Sequence, residues 1–236
     1  MKTLNDFKIT LRYHDKLNPK IWDGNKLKSE IASKLKLIAA KWAKYANIPN
    51  AAIKDIILVG GNANYNYTKF SDLDLHLVVY QDRIANCPDL LDDYLRDKKQ
   101  LWSLTHDIKI YGHDVELYAQ DQSAPYPEGQ GVYSIKQGKW LVEPKRENVT
   151  FTKDAFLARK IKSFMDQIDY LIDNNADEQE FHDLKKKLRD MRAASIQRGG
   201  EFSFENLIFK DLRNRGYLDK ISKYIKRSED ERLSLK

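Results

Sequence analysis

The segment that most restricts what this chain can fold into runs from Ile56 to Val79. Ile56-Ile57-Leu58-Val59 is a short β-rich run that stops at Gly60-Gly61. A loop from Asn62 to Ser71 follows, and Asp72-Leu73-Asp74-Leu75-His76-Leu77-Val78-Val79 opens a second run. That run begins by alternating polar and apolar, the period of a strand with one face in a core. Successive strand side chains leave opposite faces, so Asp72, Asp74 and His76 share one face and Leu73, Leu75 and Leu77 the other. Two strands joined by a glycine-led loop therefore require a sheet whose apolar face is covered by other elements.

The covering elements are legible on either side. From Lys26 to Tyr45 the apolar residues Leu27, Ile31, Leu35, Ile38, Trp42 and Tyr45 recur at three- and four-residue spacing, which predicts an amphipathic helix over 26–45. Asp89 to Leu104 reads as a second helix. Ile108–Tyr111 and Val115–Ala119 flank Gly112-His113-Asp114 and read as a hairpin, and Val132–Ile135 with Trp140–Val142 read as another. Residues 7–12 alternate weakly and are expected as a short edge strand. After Asn148 the pattern turns helical: Leu157, Ile161, Phe164, Ile168 and Leu171 form one stripe and Leu184, Leu188 and Met191 another, closed by Gly199-Gly200. The expected fold class is α/β (α+β). A small mixed sheet with flanking helices spans 1–150, and an all-helical domain spans 151–236.

Charge follows the same division. Of the net +6, residues 1–50 carry +7, residues 51–152 carry -4 and residues 153–236 carry +3. An acidic centre suits a cation and basic flanks suit a polyanion, although Lys-rich helices are also ordinary solvated faces. Cys87 is the single cysteine, which excludes an internal disulfide and a Cys-rich zinc site. No apolar run approaches the roughly 18 residues of a membrane span, and Met1–Asp6 lack the pattern of a signal peptide. The expectation is a cytoplasmic protein with no membrane partner.

The chemistry concentrates at the two strand ends. Paired glycines after a strand permit a tight turn and close approach of a ligand, so Gly60, Gly61, Asn62 and Ser71 are candidate nucleotide contacts. Asp72 and Asp74 repel each other unless a cation lies between them. Mg²⁺ takes one or two carboxylates together with substrate phosphates and water. A phosphate-binding loop beside such a pair is the layout of metal-dependent phosphoryl or nucleotidyl transfer. A lone Gly-Gly is usually a turn and a lone Asp-x-Asp a solvated strand face; their joint occurrence at this spacing is far more specific.

On these residues the chain resembles the DNA polymerase beta-like nucleotidyltransferase superfamily. Its signature is a hydrophobic strand, Gly-Gly or Gly-Ser, about ten residues, then Asp-x-Asp on the next strand. The spacing is nearest that of the minimal nucleotidyltransferases, with Gly60, Ala63, Ser71, Asp72, Asp74 and Leu75 matching and Gly61 standing where those relatives have serine. The resemblance implies transfer of a nucleoside monophosphate from an NTP, ATP favoured, to an acceptor hydroxyl with release of pyrophosphate. It implies two Mg²⁺ or Mn²⁺ ions on Asp72, Asp74 and a third carboxylate. Glu116 is the preferred third group and Asp114 its competitor. It also implies a helical lobe whose basic residues, among Lys153–Lys162 and Lys185–Arg189, contact the triphosphate. The acceptor stays open between an RNA or tRNA 3′ end, a protein hydroxyl and a second nucleotide. A catalytically inactive fold that binds RNA or protein is the reading of another class. Tyr65, Tyr67 and Tyr133 are candidates for stacking a base, and His76 for a place beside the metal or substrate.

Overall fold

Alternation in the second run is realised as a strand. Leu73, Leu75 and Leu77 have no exposed surface, while Asp74 and His76 on the opposite face are half-buried. The computed structural model describes residues 7–85, 87–126, 129–146 and 154–235, without the side chains of Pro88, Asp89 and Glu201. The fold is mixed α/β.

The chain enters through a two-residue ladder, β1 (Trp22–Asp23) with β2 (Lys26–Leu27), before helix α1 (Ser29–Tyr45). The helix expected over 26–45 therefore starts later, because Asp23-Gly24-Asn25 turns the chain and pairs Lys26 with Asp23. Strands β3 (Ile53–Val59) and β4 (Leu73–Val79) are followed by helix α2 (Pro88–Thr105), then by β5 (Lys109–Ile110), β6 (His113–Asp121), β7 (Val132–Ser134) and β8 (Lys139–Val142). These six strands form one sheet in the order β5-β6-β4-β3-β7-β8. All neighbours are antiparallel except β4 and β6, which run parallel. A parallel pair needs a crossover, and α2 supplies it.

One face of the sheet is the core. Leu58, Leu73, Leu75, Leu77 and Leu117 meet Ile31, Leu35, Ile38 and Trp42 of α1 and Leu91, Leu95 and Trp102 of α2. Each fully buried Leu or Ile contributes about 1.5–3 kcal/mol. The other face carries a smaller apolar cluster, Ile57, Val59, Val78 and Val132, with Leu141 beside it.

Tyr13–Asn148 is one compact unit, and the described residues on either side of it form a second. The second unit holds α3 (Ala155–Asp173), α4 (Glu178–Gly199), α5 (Phe204–Asn214) and α6 (Tyr217–Leu233). Asp154 caps α3 by accepting from the N–H groups of Phe156 and Leu157, and Asp177 caps α4. Residues 7–12 are not the expected edge strand. Thr10 donates its N–H and its hydroxyl to the buried Asp211 on α5, at 2.6 and 2.7 Å, so the segment is tied to the helices. The boundary expected at 150/151 and Lys153 lie outside the described residues. Among the described residues no helix is long and apolar enough to cross a membrane.

Candidate active site

The glycine loop is shaped by a buried polar network of four side chains. Asn62 has no exposed surface. Its amide nitrogen donates to the carbonyls of Ser71 and Asp72 at 2.9 and 3.0 Å, and its Oδ1 accepts from Asn18 Nδ2 at 2.8 Å. His113, also buried, donates from Nδ1 to the Ser71 carbonyl at 2.7 Å and accepts at Nε2 from Asn18 at 3.0 Å. Trp22 Nε1 donates to the Asn62 carbonyl at 2.6 Å. Both ends of the 60–72 loop are thereby bonded together from beneath. Asn62, expected at the nucleotide, points inward and holds the loop. Ser71 does likewise, its buried hydroxyl accepting from Thr68 N–H at 2.9 Å.

The two glycines are needed where they stand. Gly60 has φ +75° and ψ -163°, a region that residues with a Cβ avoid. A Cβ on Gly60 would overlap the Asp74 carboxylate, and one on Gly61 would sit 2.9 Å from Ser71 Oγ. The room that these glycines leave is therefore taken by Asp74 and Ser71. A 3-10 turn over Gly61–Ala63 follows, closed by Ala63 N–H on the Gly60 carbonyl at 3.1 Å.

The parallel register brings the carboxylates to one face. Asp74 lies beside Glu116, Leu75 beside Leu117 and His76 beside Tyr118. Asp74 and Glu116 thus point away from the core together, and Val59 flanks Asp74 on the β3 side. Glu116 is exposed and receives Lys99 of α2 at 3.3 Å. Asp114, its competitor, is paired with Lys109 across the β5–β6 hairpin. Among the described residues no three His, Cys, Asp or Glu side chains are gathered at metal-binding distance.

His76 Nδ1 lies 2.6 Å from Gln120 Oε1, and burial lowers its pKa. Tyr133 is buried between Trp22 and Trp140 and offers no face to a ligand. Tyr67 is stacked on His14 with ring centroids 4.0 Å apart, and Tyr65 lies 6.1 Å from Tyr13. On the helical unit Lys185 donates to Ser222 at 3.0 Å, while Lys186, Lys187 and Arg189 are exposed. The role of Asn18 and His113 was not legible beforehand; an Asn before Pro19 and a His after Gly112 look like turn residues. No protein-family model, curated protein or solved structure matches this chain.

Proposed function

We propose that the protein is a metal-dependent nucleotidyltransferase that moves a nucleoside monophosphate from an NTP, ATP favoured, to an acceptor hydroxyl. The observation that carries this reading is the in-register placement of Asp74 and Glu116 on one sheet face, next to a strand end where Gly60 makes room for the Asp74 carboxylate. The donor set is hard oxygen, which suits Mg²⁺ or Mn²⁺. Asp72 and Asp74 would hold one ion and, with Glu116, a second; bound there, the ions supply charge neutralisation on the phosphates and a more acidic acceptor hydroxyl. The phosphates would meet the Gly60–Gly61 backbone itself, since Asp74 and Ser71 take the side-chain room. Glu116 takes the proton of the attacking hydroxyl and Lys99 orients that carboxylate. Asn62, His113 and Asn18 keep the loop in shape. The basic flanks favour an RNA 3′ end as acceptor; a protein hydroxyl and a second nucleotide are the competing acceptors.

A second reading is favoured by the Lys99–Glu116 ion pair, which neutralises Glu116 without a metal. In that reading the fold binds RNA or protein and does not turn over. Pyrophosphate release from each of the four NTPs, with RNA, with protein and with no acceptor, separates the two. Expected is Mg²⁺-dependent release that the Asp72→Asn, Asp74→Asn double variant abolishes with its melting curve retained. Release that continues in excess EDTA overturns the proposal. Glu116→Gln should slow turnover by about 10²–10⁴ while NTP still binds, with Asp114→Asn far milder.

A further inference from the structure

We propose that a cavity on the carboxylate-bearing face of the sheet takes the planar ring of a nucleobase. The cavity encloses about 360 Å³ and is lined by Ile57, Val59, His76, Tyr118, Gln120 and Tyr126. It continues along the same strands as the carboxylates, since His76 and Tyr118 are paired two residues beyond Asp74 and Glu116. At about 3.3 Å per residue the step is about 6.6 Å, close to the reach of one ribose.

Size, walls and charge agree on the occupant. Small-molecule sites run from roughly 300 to 1,000 Å³, so this one has room for a single ring system. Its floor is aliphatic, with Ile57 and Val59 buried. Its walls include two tyrosines, Tyr118 at 47% and Tyr126 at 38% exposure, aromatic surface of the kind a planar guest packs on; the Tyr118 ring also tilts against His76 at 5.1 Å and lies 5.9 Å from Lys99 Nζ. His76 Nδ1 donating to Gln120 Oε1 leaves His76 Nε2 as an acceptor and the Gln120 amide N–H groups as donors. Acceptor and donor side by side complement a base edge that carries the reverse pair. Asp92 and Asp121 also line the cavity, and both bond Gln81, at 2.7 and 3.4 Å. Their negative charge disfavours a phosphate there and leaves the uncharged end of a nucleotide as the fitting one. The choice of a nucleobase among planar rings rests on the nucleotidyl-transfer reading. The base can be that of the donor NTP or that of a nucleotide acceptor.

The experiment is saturation-transfer NMR with adenosine, guanosine, cytidine and uridine on the full chain, without metal. At least one nucleoside is expected to bind. Tyr118→Ala should weaken it at least about fivefold, the lower end of what one base stack contributes, and Tyr118→Phe should restore it. Gln120→Ala should weaken it and change which nucleoside is preferred. In a second arm with a non-hydrolysable NTP, displacement of the nucleoside that strengthens when Mg²⁺ is added marks the donor's base, and Mg²⁺-dependent NTP binding that leaves the nucleoside in place marks the acceptor's. Absence of binding by all four nucleosides, or equal binding by wild type and both alanine variants, overturns the proposal. Because the nucleoside measurement needs neither metal nor turnover, it fails or succeeds separately from the pyrophosphate assay.

Discussion

Each unit buries a polar cluster, and the two clusters differ in charge and in what they hold. In the α/β unit Asn18, Asn62, His113 and Trp22 meet backbone carbonyls of the 60–72 loop, with no carboxylate or ammonium among them. In the helical unit a fully buried carboxylate, Asp211, accepts from Thr10 and from Arg215 Nε at 2.5 Å, and Asn214 bonds the Thr10 hydroxyl at 3.0 Å. The first cluster fixes the shape of a loop whose backbone must keep an unusual conformation. The second pins a chain segment 201 residues away in sequence to a helix. A neutral network can be shape-specific with a small desolvation penalty. A charged one binds more strongly but leaves a costly remnant when a partner is lost.

The sharpest way to break that contrast is Asp211→Ala. Arg215 and the Thr10 N–H lose their acceptor, and a loss of about 3–5 kcal/mol is expected in urea unfolding. Faster amide exchange should be confined to residues 8–12 and α5. A loss below 1 kcal/mol would mean that the charge is not what anchors the segment. Asn62→Ala comes next, at about 2–3 kcal/mol, with exchange rising across 60–72 and the proposed NTP consumption falling with it. An effect equal to that of Asp211→Ala would erase the distinction between the clusters. Gly60→Ala probes the backbone that the neutral cluster supports. Its cost is about 1–3 kcal/mol, and the displaced Asp74 carboxylate should reduce the proposed Mg²⁺-dependent activity well beyond that stability loss. The smallest effect belongs to a half-buried surface charge. Burial raises the Asp169 carboxyl, but hydrogen bonds from Lys220 and Tyr217 outweigh it and hold it below its ordinary value. Its contribution is present above the ordinary carboxylate range and disappears as pH falls through the lowered value. Asp169→Asn should therefore cost under about 1 kcal/mol near neutrality, and the difference in melting temperature should vanish on acidification.

Much of the α/β unit was legible because its signals are local. Period two over Leu73–Leu77 and the four-three spacing from Ile31 to Trp42 are properties of adjacent residues, and they specify which side chains enter the core. The hairpins at Gly112 and Gly138 announced themselves by turn residues. What escaped depends on partners far away in sequence. Phe7–Arg12 alternates weakly like a strand, but Thr10 finds a buried carboxylate on α5 and no strand to pair with. Lys26 and Leu27 carry the helical period and are nevertheless claimed by Trp22 and Asp23. Asn18 and His113 bear no periodic signature, and only the tertiary fold brings them to Asn62. Glu116 is intermediate. Its strand was readable, whereas its register against Asp74 follows from the parallel pairing.

That parallel pairing has a consequence for the order of assembly. A hairpin can zip from its turn, but β4 and β6 are joined by a long crossover through α2, so their contact is non-local and carries a larger loop-closure cost. Lys99 rides on α2 and reaches Glu116. The like charges of Asp74 and Glu116 are therefore brought together only by an element that carries the compensating cation. The crossover helix acts as an internal escort for the acidic cluster, a non-local contact expected late in folding. A contact formed that late is absent from the transition state, so a chain lacking the Lys99 ammonium should refold at nearly the same rate and unfold faster.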